Sequence, residues 1–216
     1  MDAVVFDLDG VLVDSERTWD EVRRAVVAEH GGTWQDGTTR ALQGMSTPEW
    51  ARHLVDELGV RLTADEVAKA VVDGMRQRYA EGPPVIAGGP EAVRAVGERY
   101  PMAIASSSPP VLIQAFLEAT ELTGLVRVAL SSEQVDAGKP APDVYLEAAR
   151  RLGVDAAECA AVEDTTNGLK SALAAGMRVL AVPNPHFPPD PAVLARVSAV
   201  LRDIGDLPRA LGLAVR

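Results

Sequence analysis

The chain opens on an apolar run, Met1 to Phe6, that passes directly into the acidic loop Asp7-Leu8-Asp9-Gly10. A run that short, bounded by a turn signal, reads as a buried strand. From about Ser15 to Gly82 the period becomes helical. Residues 18–30 put Trp19, Val22, Val26 and Val27 near one face. Thr47 reads as an N-cap with Pro48 at the first helical position, opening a helix to about Leu58. Thr63 with Glu66 forms a capping box at the head of a helix that runs to about Tyr79. No strand pattern interrupts this stretch. Beyond Gly82-Pro83-Pro84 the character alternates. Helices are expected over 90–99, 110–119, 142–152 and 167–175, and strands over 102–105, 126–130, 160–162 and 179–182. Short apolar strands alternating with helices imply βαβ units and a buried parallel sheet. The expected organisation is one α/β core, residues 1–14 and 85–216, interrupted near its first strand by an all-helical insert, residues 15–84. The proline-rich segment 183–191 reads as a surface loop near the sheet edge.

Composition narrows the partners. With 47% hydrophobic and 24% charged residues, the 216-residue chain is not intrinsically disordered. No apolar run approaches the ~20 residues of a membrane span. The N-terminus has no basic flank and is broken by acids, so it does not read as a signal peptide. The single cysteine, Cys159, cannot close an intramolecular disulfide, which fits a cytoplasmic location, and it reads as a buried core thiol. A net charge of −10 argues against nucleic acid or an anionic membrane as partner. An anionic small molecule would need local positive charge or a metal.

In an open parallel sheet, ligands bind beyond the carboxyl ends of the strands. The first strand is followed by Asp7 and Asp9, the second by Ser106, Ser107 and Ser108. Lys139 follows the third at some distance, and Glu163 and Asp164 follow the fourth. Clustered carboxylates favour a hard, oxygen-loving cation such as Mg²⁺. A cation with Lys139 can neutralise a phosphoryl group, and a serine with backbone N–H groups can hydrogen-bond its oxygens. Asp7 is then a candidate nucleophile that forms an aspartyl-phosphate. Asp9, two residues on, can protonate a leaving oxygen and later activate water. The pair alone is weak evidence. The ordered series Asp7, Ser106, Lys139, Glu163-Asp164 is strong. His30, His53 and His186 have no ligand spacing.

These residues carry a resemblance. Phe6-Asp7-Leu8-Asp9-Gly10, Ile104-Ala105-Ser106-Ser107-Ser108-Pro109, Lys139 in Gly-Lys-Pro-Ala-Pro-Asp, and Val162-Glu163-Asp164-Thr165-Thr166-Asn167-Gly168 resemble the four motifs of the haloacid dehalogenase superfamily. The resemblance is to its phosphatase and β-phosphoglucomutase-like branch, and it covers essentially the full length. It implies a Rossmann-like core, with the helical insert as a cap domain. It implies Mg²⁺ held by the Asp7 carboxylate, the Asp9 main-chain carbonyl and Asp164, with Glu163 assisting. The presence of Asp9 argues against dehalogenation. Mutases of this branch carry basic residues around the cap-loop glycine and a histidine in the first cap helix; here Gln43, Thr47 and Trp19 stand at those positions. Their loss favours simple hydrolysis, although Arg40, Arg52 and Arg76 can supply charge. Trp19, Arg40, Gln43, Gly44 and Ser107 are the expected substrate-binding residues.

The expectation is therefore a Mg²⁺-dependent phosphomonoesterase acting as a monomer on small phosphate esters, sugar phosphates first. Two alternatives compete with it. A sugar phosphomutase would use the same nucleophile and protect the intermediate from water. A phospho-acceptor signalling module shares the acids, the hydroxyl and the lysine, but the helical insert and the immediate Asp9 speak against it.

Overall fold

In chain order, β1 (Ala3–Phe6) precedes four helices, α1 (Glu16–Glu29), α2 (Thr38–Leu42), α3 (Thr47–Asp56) and α4 (Ala64–Ala80). Then come α5 (Gly89–Gly97), β2 (Met102–Ser106), α6 (Pro110–Ala119), β3 (Val126–Ser131), α7 (Asp143–Leu152) and β4 (Cys159–Glu163). The chain finishes with α8 (Thr166–Ala174), β5 (Arg178–Ala181), α9 (Pro191–Leu194), β6 (Ala199–Val200) and α10 (Leu207–Ala210). This computed structural model describes residues 1–42, 45–185 and 188–213. The chain divides into two units, Met1–Asp14 with Pro83–Arg216, and Ser15–Gly82. No helix among the described residues is long and apolar enough to cross a membrane.

The first unit is an α/β, Rossmann-like fold built on one parallel six-stranded sheet, in the order β3-β2-β1-β4-β5-β6. All residues of β1, β2 and β4 are buried, as a sheet covered on both faces requires. Side chains alternate faces along each strand. One face presents small residues, Ala3, Val5, Ala103, Ala105, Ala161 and Ala181. Against it lie Val144, Tyr145 and Ala148 of α7 and Leu169 and Ala172 of α8. β1 sits at the centre, with Val5 in register with Ala103 on one side and Ala161 on the other. The order runs outward from β1 to β2 and β3, then resumes at β4 on its other flank. The reversal between β1 and β4 is where an open α/β sheet leaves a crevice. Cys159 lies in this core, and burial pushes its thiol up to about 11, which keeps it an inert packing group.

The second unit is helical, and no strand occurs among its described residues. α1 buries Val22, Val26 and Val27, α3 buries Trp50, Ala51 and Leu54, and α4 buries Val67, Val71, Met75 and Tyr79. The Thr63/Glu66 capping box is present, with Glu66 Oε2 accepting from Thr63 N at 2.9 Å. The cap of α3 falls one residue earlier than the sequence suggested. Glu49 reaches back to Ser46, whose backbone N–H donates to its carboxylate at 2.7 Å, so Ser46 is the N-cap and Thr47 the first helical residue. All three tryptophans, Trp19, Trp34 and Trp50, belong to this unit. The Arg23 guanidinium lies 4.8 Å from the Trp19 ring centroid and 4.9 Å from that of Trp50, joining α1 to α3. Tryptophan fluorescence therefore reports this unit alone. Arg23→Ala is expected to lower its stability by about 1 kcal/mol, seen as an earlier fluorescence midpoint in urea. An unchanged midpoint would mean that the stacked cation contributes nothing.

β6 was not legible as a strand. Its two residues are too few for any periodicity, and it exists through pairing with β5, Leu180 with Ala199 and Ala181 with Val200.

Candidate active site

The site is built on the strand ends at the β1–β4 crevice. Asp7 follows β1 directly, and its backbone N–H donates to Val162 O of β4 at 2.9 Å. The chain then turns tightly, Leu8 O accepting from the N–H groups of Val11, Leu12 and Val13 at 3.3, 2.8 and 3.1 Å. Gly10 lies inside this turn at φ +81°, and a Cβ there would collide with the Asp164 carboxylate. In the first turn of α8, a Cβ on Gly168 would likewise overlap the carboxylate of Glu163, the last residue of β4. Both glycines are needed because carboxylates fill the space a side chain would take.

Lys139 comes from the segment between β3 and α7. Its Nζ lies 2.9 Å from Asp7 Oδ1 and 2.7 Å from Glu163 Oε1. The Tyr145 hydroxyl donates to the same Glu163 oxygen at 3.0 Å. The other, Oε2, accepts from Asp164 N (2.9 Å), Thr165 N (3.0 Å) and Thr165 Oγ1 (3.2 Å). Glu163 is fully buried and both its oxygens are engaged. On the β2 side, Ser108 Oγ donates to Asp9 Oδ2 at 2.6 Å, and Ser106 Oγ donates to it at 3.3 Å. Ser106 Oγ also accepts from Ser108 N at 3.0 Å. The middle serine, Ser107, is exposed.

Asp7, Glu163 and Asp164 each offer a carboxylate oxygen within 4.8 Å of the others. The charge does not balance locally, because one ammonium faces three buried carboxylates. Burial would raise Glu163, but Lys139 and the hydrogen bonds from Thr165 and Tyr145 hold it below the usual carboxylate range. Burial likewise opposes the Lys139 charge, and Asp7 and Glu163 overcome it and raise the lysine. That leaves Lys139 and Glu163 as a true ion pair. Asp7 is pushed up to about 8, by burial first and then by Glu163, with Asp9 adding to this against the opposing pull of Lys139. Asp164 is raised well above its ordinary value by burial, Glu163 and Asp7. Its Oδ1 is buried without a hydrogen-bond partner among the described residues. Two carboxylates short of positive charge, one with an orphaned oxygen, fit a hard divalent cation.

Six of the expected residues, Asp7, Asp9, Ser106, Lys139, Glu163 and Asp164, thus meet at one rim. Trp19 and Arg40 belong to the helical unit, where Trp19 is half-buried against Arg23 and Arg40 is exposed on α2. Gln43 and Gly44 lie outside the described residues. The sequence places Ser108 at this rim but gives it no role, and it gives none to Thr165 or Tyr145. The first two lie inside motifs already singled out. Tyr145 shares its helix face with Val144 and Ala148 and reads as core.

Residues 1–176 match the haloacid dehalogenase-like hydrolase family, and the chain belongs to it. Within that family it falls in the phosphatase and β-phosphoglucomutase-like branch and is a phosphoric monoester hydrolase. Hexitol phosphatase B of Escherichia coli (strain K12) is 32% identical over 213 residues, 90% of each chain. The crystal structure of CbbY from Rhodobacter sphaeroides in complex with phosphate has the same fold, with a TM-score of 0.86 over 96% of both chains at 22% identity. A candidate β-phosphoglucomutase from Thermotoga maritima is 27% identical, with a TM-score of 0.78 over 98% of this chain and 99% of the other.

Proposed function

We propose that this chain is a magnesium-dependent phosphomonoesterase that hydrolyses small phosphorylated metabolites, sugar phosphates foremost, through an aspartyl-phosphate at Asp7. The reading rests on the Lys139 ammonium, held 2.9 Å from Asp7 Oδ1 at the mouth of the β1–β4 crevice. A fixed cation beside a nucleophilic carboxylate lets a phosphoryl dianion approach a site that is otherwise acidic. The name of hexitol phosphatase B supports sugar and polyol phosphates as the substrate class.

In the first step an Asp7 oxygen attacks phosphorus in line. The Asp7–phosphorus bond forms as the ester bond breaks, and Asp9 donates its proton to the departing alkoxide. In the second step water attacks phosphorus and Asp9 takes its proton. The Asp7–phosphorus bond breaks and inorganic phosphate leaves. Ser108, at 2.6 Å from Asp9 Oδ2, fixes that carboxylate. Lys139 and Ser106 hold the phosphoryl oxygens, with Ser107 beside them. Magnesium, when bound, would be held by Asp7, Asp164 and the Asp9 main-chain carbonyl with Glu163 assisting, and it supplies positive charge against the phosphoryl oxygens. Residues 15–84 serve as the cap domain, and Trp19, Arg40, Gln43 and Gly44 select the leaving group. The enzyme works as a cytoplasmic monomer, with no nucleic acid or membrane partner.

The test is phosphate release from a panel of hexitol and sugar phosphates, with magnesium and after chelation. Release that requires magnesium and returns on its re-addition is expected. The likeness to the Thermotoga maritima protein favours one second reading, a phosphomutase. β-Glucose 1-phosphate with a bisphosphate activator separates the two. Formation of glucose 6-phosphate without phosphate release would replace hydrolysis by phosphoryl migration.

A further inference from the structure

Tyr145 is fully buried on α7, six residues after Lys139, and its hydroxyl donates to Glu163 Oε1 at 3.0 Å. That oxygen also takes Lys139 Nζ at 2.7 Å. The two oxygens of Glu163 are held differently. Oε2 is pinned by the adjacent loop, through Asp164 N, Thr165 N and Thr165 Oγ1. Oε1 is shared between two groups that both arrive from the Lys139–α7 segment. Lys139 is itself shared, 2.9 Å from Asp7 Oδ1. The position of the ammonium is therefore a balance between two carboxylates, and Tyr145 acts on one side of it. By donating to Oε1, the phenol satisfies one lone pair of a buried carboxylate that would otherwise seek a second proton from Lys139.

We propose that Tyr145 is a positioning residue for phosphoryl binding: its hydroxyl, acting through Glu163 Oε1, holds the Lys139 ammonium forward against Asp7. This rests on the phosphoryl-transfer reading above. Without the hydroxyl, Oε1 is left short of a donor in a buried site, where unmet hydrogen-bonding capacity is costly. The mobile group able to make up the shortfall is Lys139, which carries three N–H donors on a flexible stem. It turns further toward Glu163 and away from Asp7. The Tyr145 ring, 5.1 Å from Nζ, does not depend on the hydroxyl and remains under the lysine in Tyr145→Phe. That substitution therefore isolates the hydrogen bond from the packing.

The experiment compares wild type, Tyr145→Phe and, as a control, Tyr79→Phe, which changes the buried tyrosine of α4. Two quantities are measured: the dissociation constant for inorganic phosphate by calorimetry, and kcat and KM on the best ester of the panel. The expected result is about tenfold weaker phosphate binding and a similar rise in KM in Tyr145→Phe, with kcat changed less, from a lost hydrogen bond to a charged group. Tyr79→Phe should leave both unchanged. A Tyr145→Phe protein that melts earlier but keeps wild-type phosphate affinity, KM and kcat would overturn the proposal and leave the tyrosine a packing residue. Wild type that binds phosphate but turns over no ester would sink the hydrolase reading, and the phosphate affinities would still decide Tyr145. Wild type that binds no phosphate would overturn both.

Discussion

Asp7→Asn is expected to abolish phosphate release, by at least about 10⁴-fold, because an amide cannot serve as the attacking oxygen. The same substitution should not harm the metal-free fold. Asp7 is buried beside Glu163 and Asp164, and its carboxyl is pushed up to about 8 by burial and by Glu163. A carboxyl raised in the folded state stabilises the protein fully below its unfolded pKa of about 4. That contribution disappears as the pH rises through the folded value. Metal-free wild type should therefore lose stability relative to Asp7→Asn between about pH 4 and about pH 8. Lys139 keeps its second partner, Glu163, in the variant. Urea midpoints against pH, taken with a chelator, give the comparison. Parallel curves for the two proteins would show that Asp7 carries no uncompensated charge. Residual ester hydrolysis near the wild-type rate would remove Asp7 as nucleophile.

Lys139→Met should produce the largest loss of stability. The ammonium and its two partners are almost wholly buried, at 6% side-chain exposure for Lys139, 7% for Asp7 and 0% for Glu163. Removing one member of a buried ion pair strands the others, and such losses run to about 3–5 kcal/mol. Here three carboxylates would face each other with no cation among them. The loss should be greatest without metal and smaller with magnesium present, since a ligand of the folded state stabilises it by mass action. Activity should fall by at least about 10²-fold even where the variant is folded, since a fixed charge on the phosphoryl oxygens is gone. Denaturant titrations with and without magnesium measure the first effect and steady-state kinetics the second. A variant within about 1 kcal/mol of wild type in the metal-free state would mean that the carboxylates are already neutral and need no lysine.

Much of this architecture can be read along the chain. Ala3–Phe6 are four apolar residues ended by Asp7, and a strand buried on both faces has no other composition open to it. The alternation of such runs with helices fixes parallel connections, because parallel neighbours need a crossover. Strand ends on one rim then bring Asp7, Ser106 and Glu163-Asp164 together, and Lys139 is left as the balancing charge. Each step depends on local pattern and on the geometry of a parallel sheet.

Other features depend on which atoms meet. In the run Ser106-Ser107-Ser108 no periodicity selects a residue. The turn of the backbone after β2 sends the first and third hydroxyls to Asp9 and leaves the second exposed. Tyr145 has the spacing of a core residue, and its partner Glu163 lies 18 positions away on another element. Only the packing of α7 across the small-residue face of the sheet joins them. The division of labour among the acids is likewise a matter of tertiary structure. Glu163 and Asp164 are adjacent and chemically alike, yet Glu163 is saturated with donors while Asp164 keeps a bare buried oxygen. Local sequence sets which residues reach the rim, because strand and helix periods are short-range. Which of them carry charge, accept protons or wait for a cation is set by distances of about 3 Å between distant segments, over which burial and hydrogen bonding act.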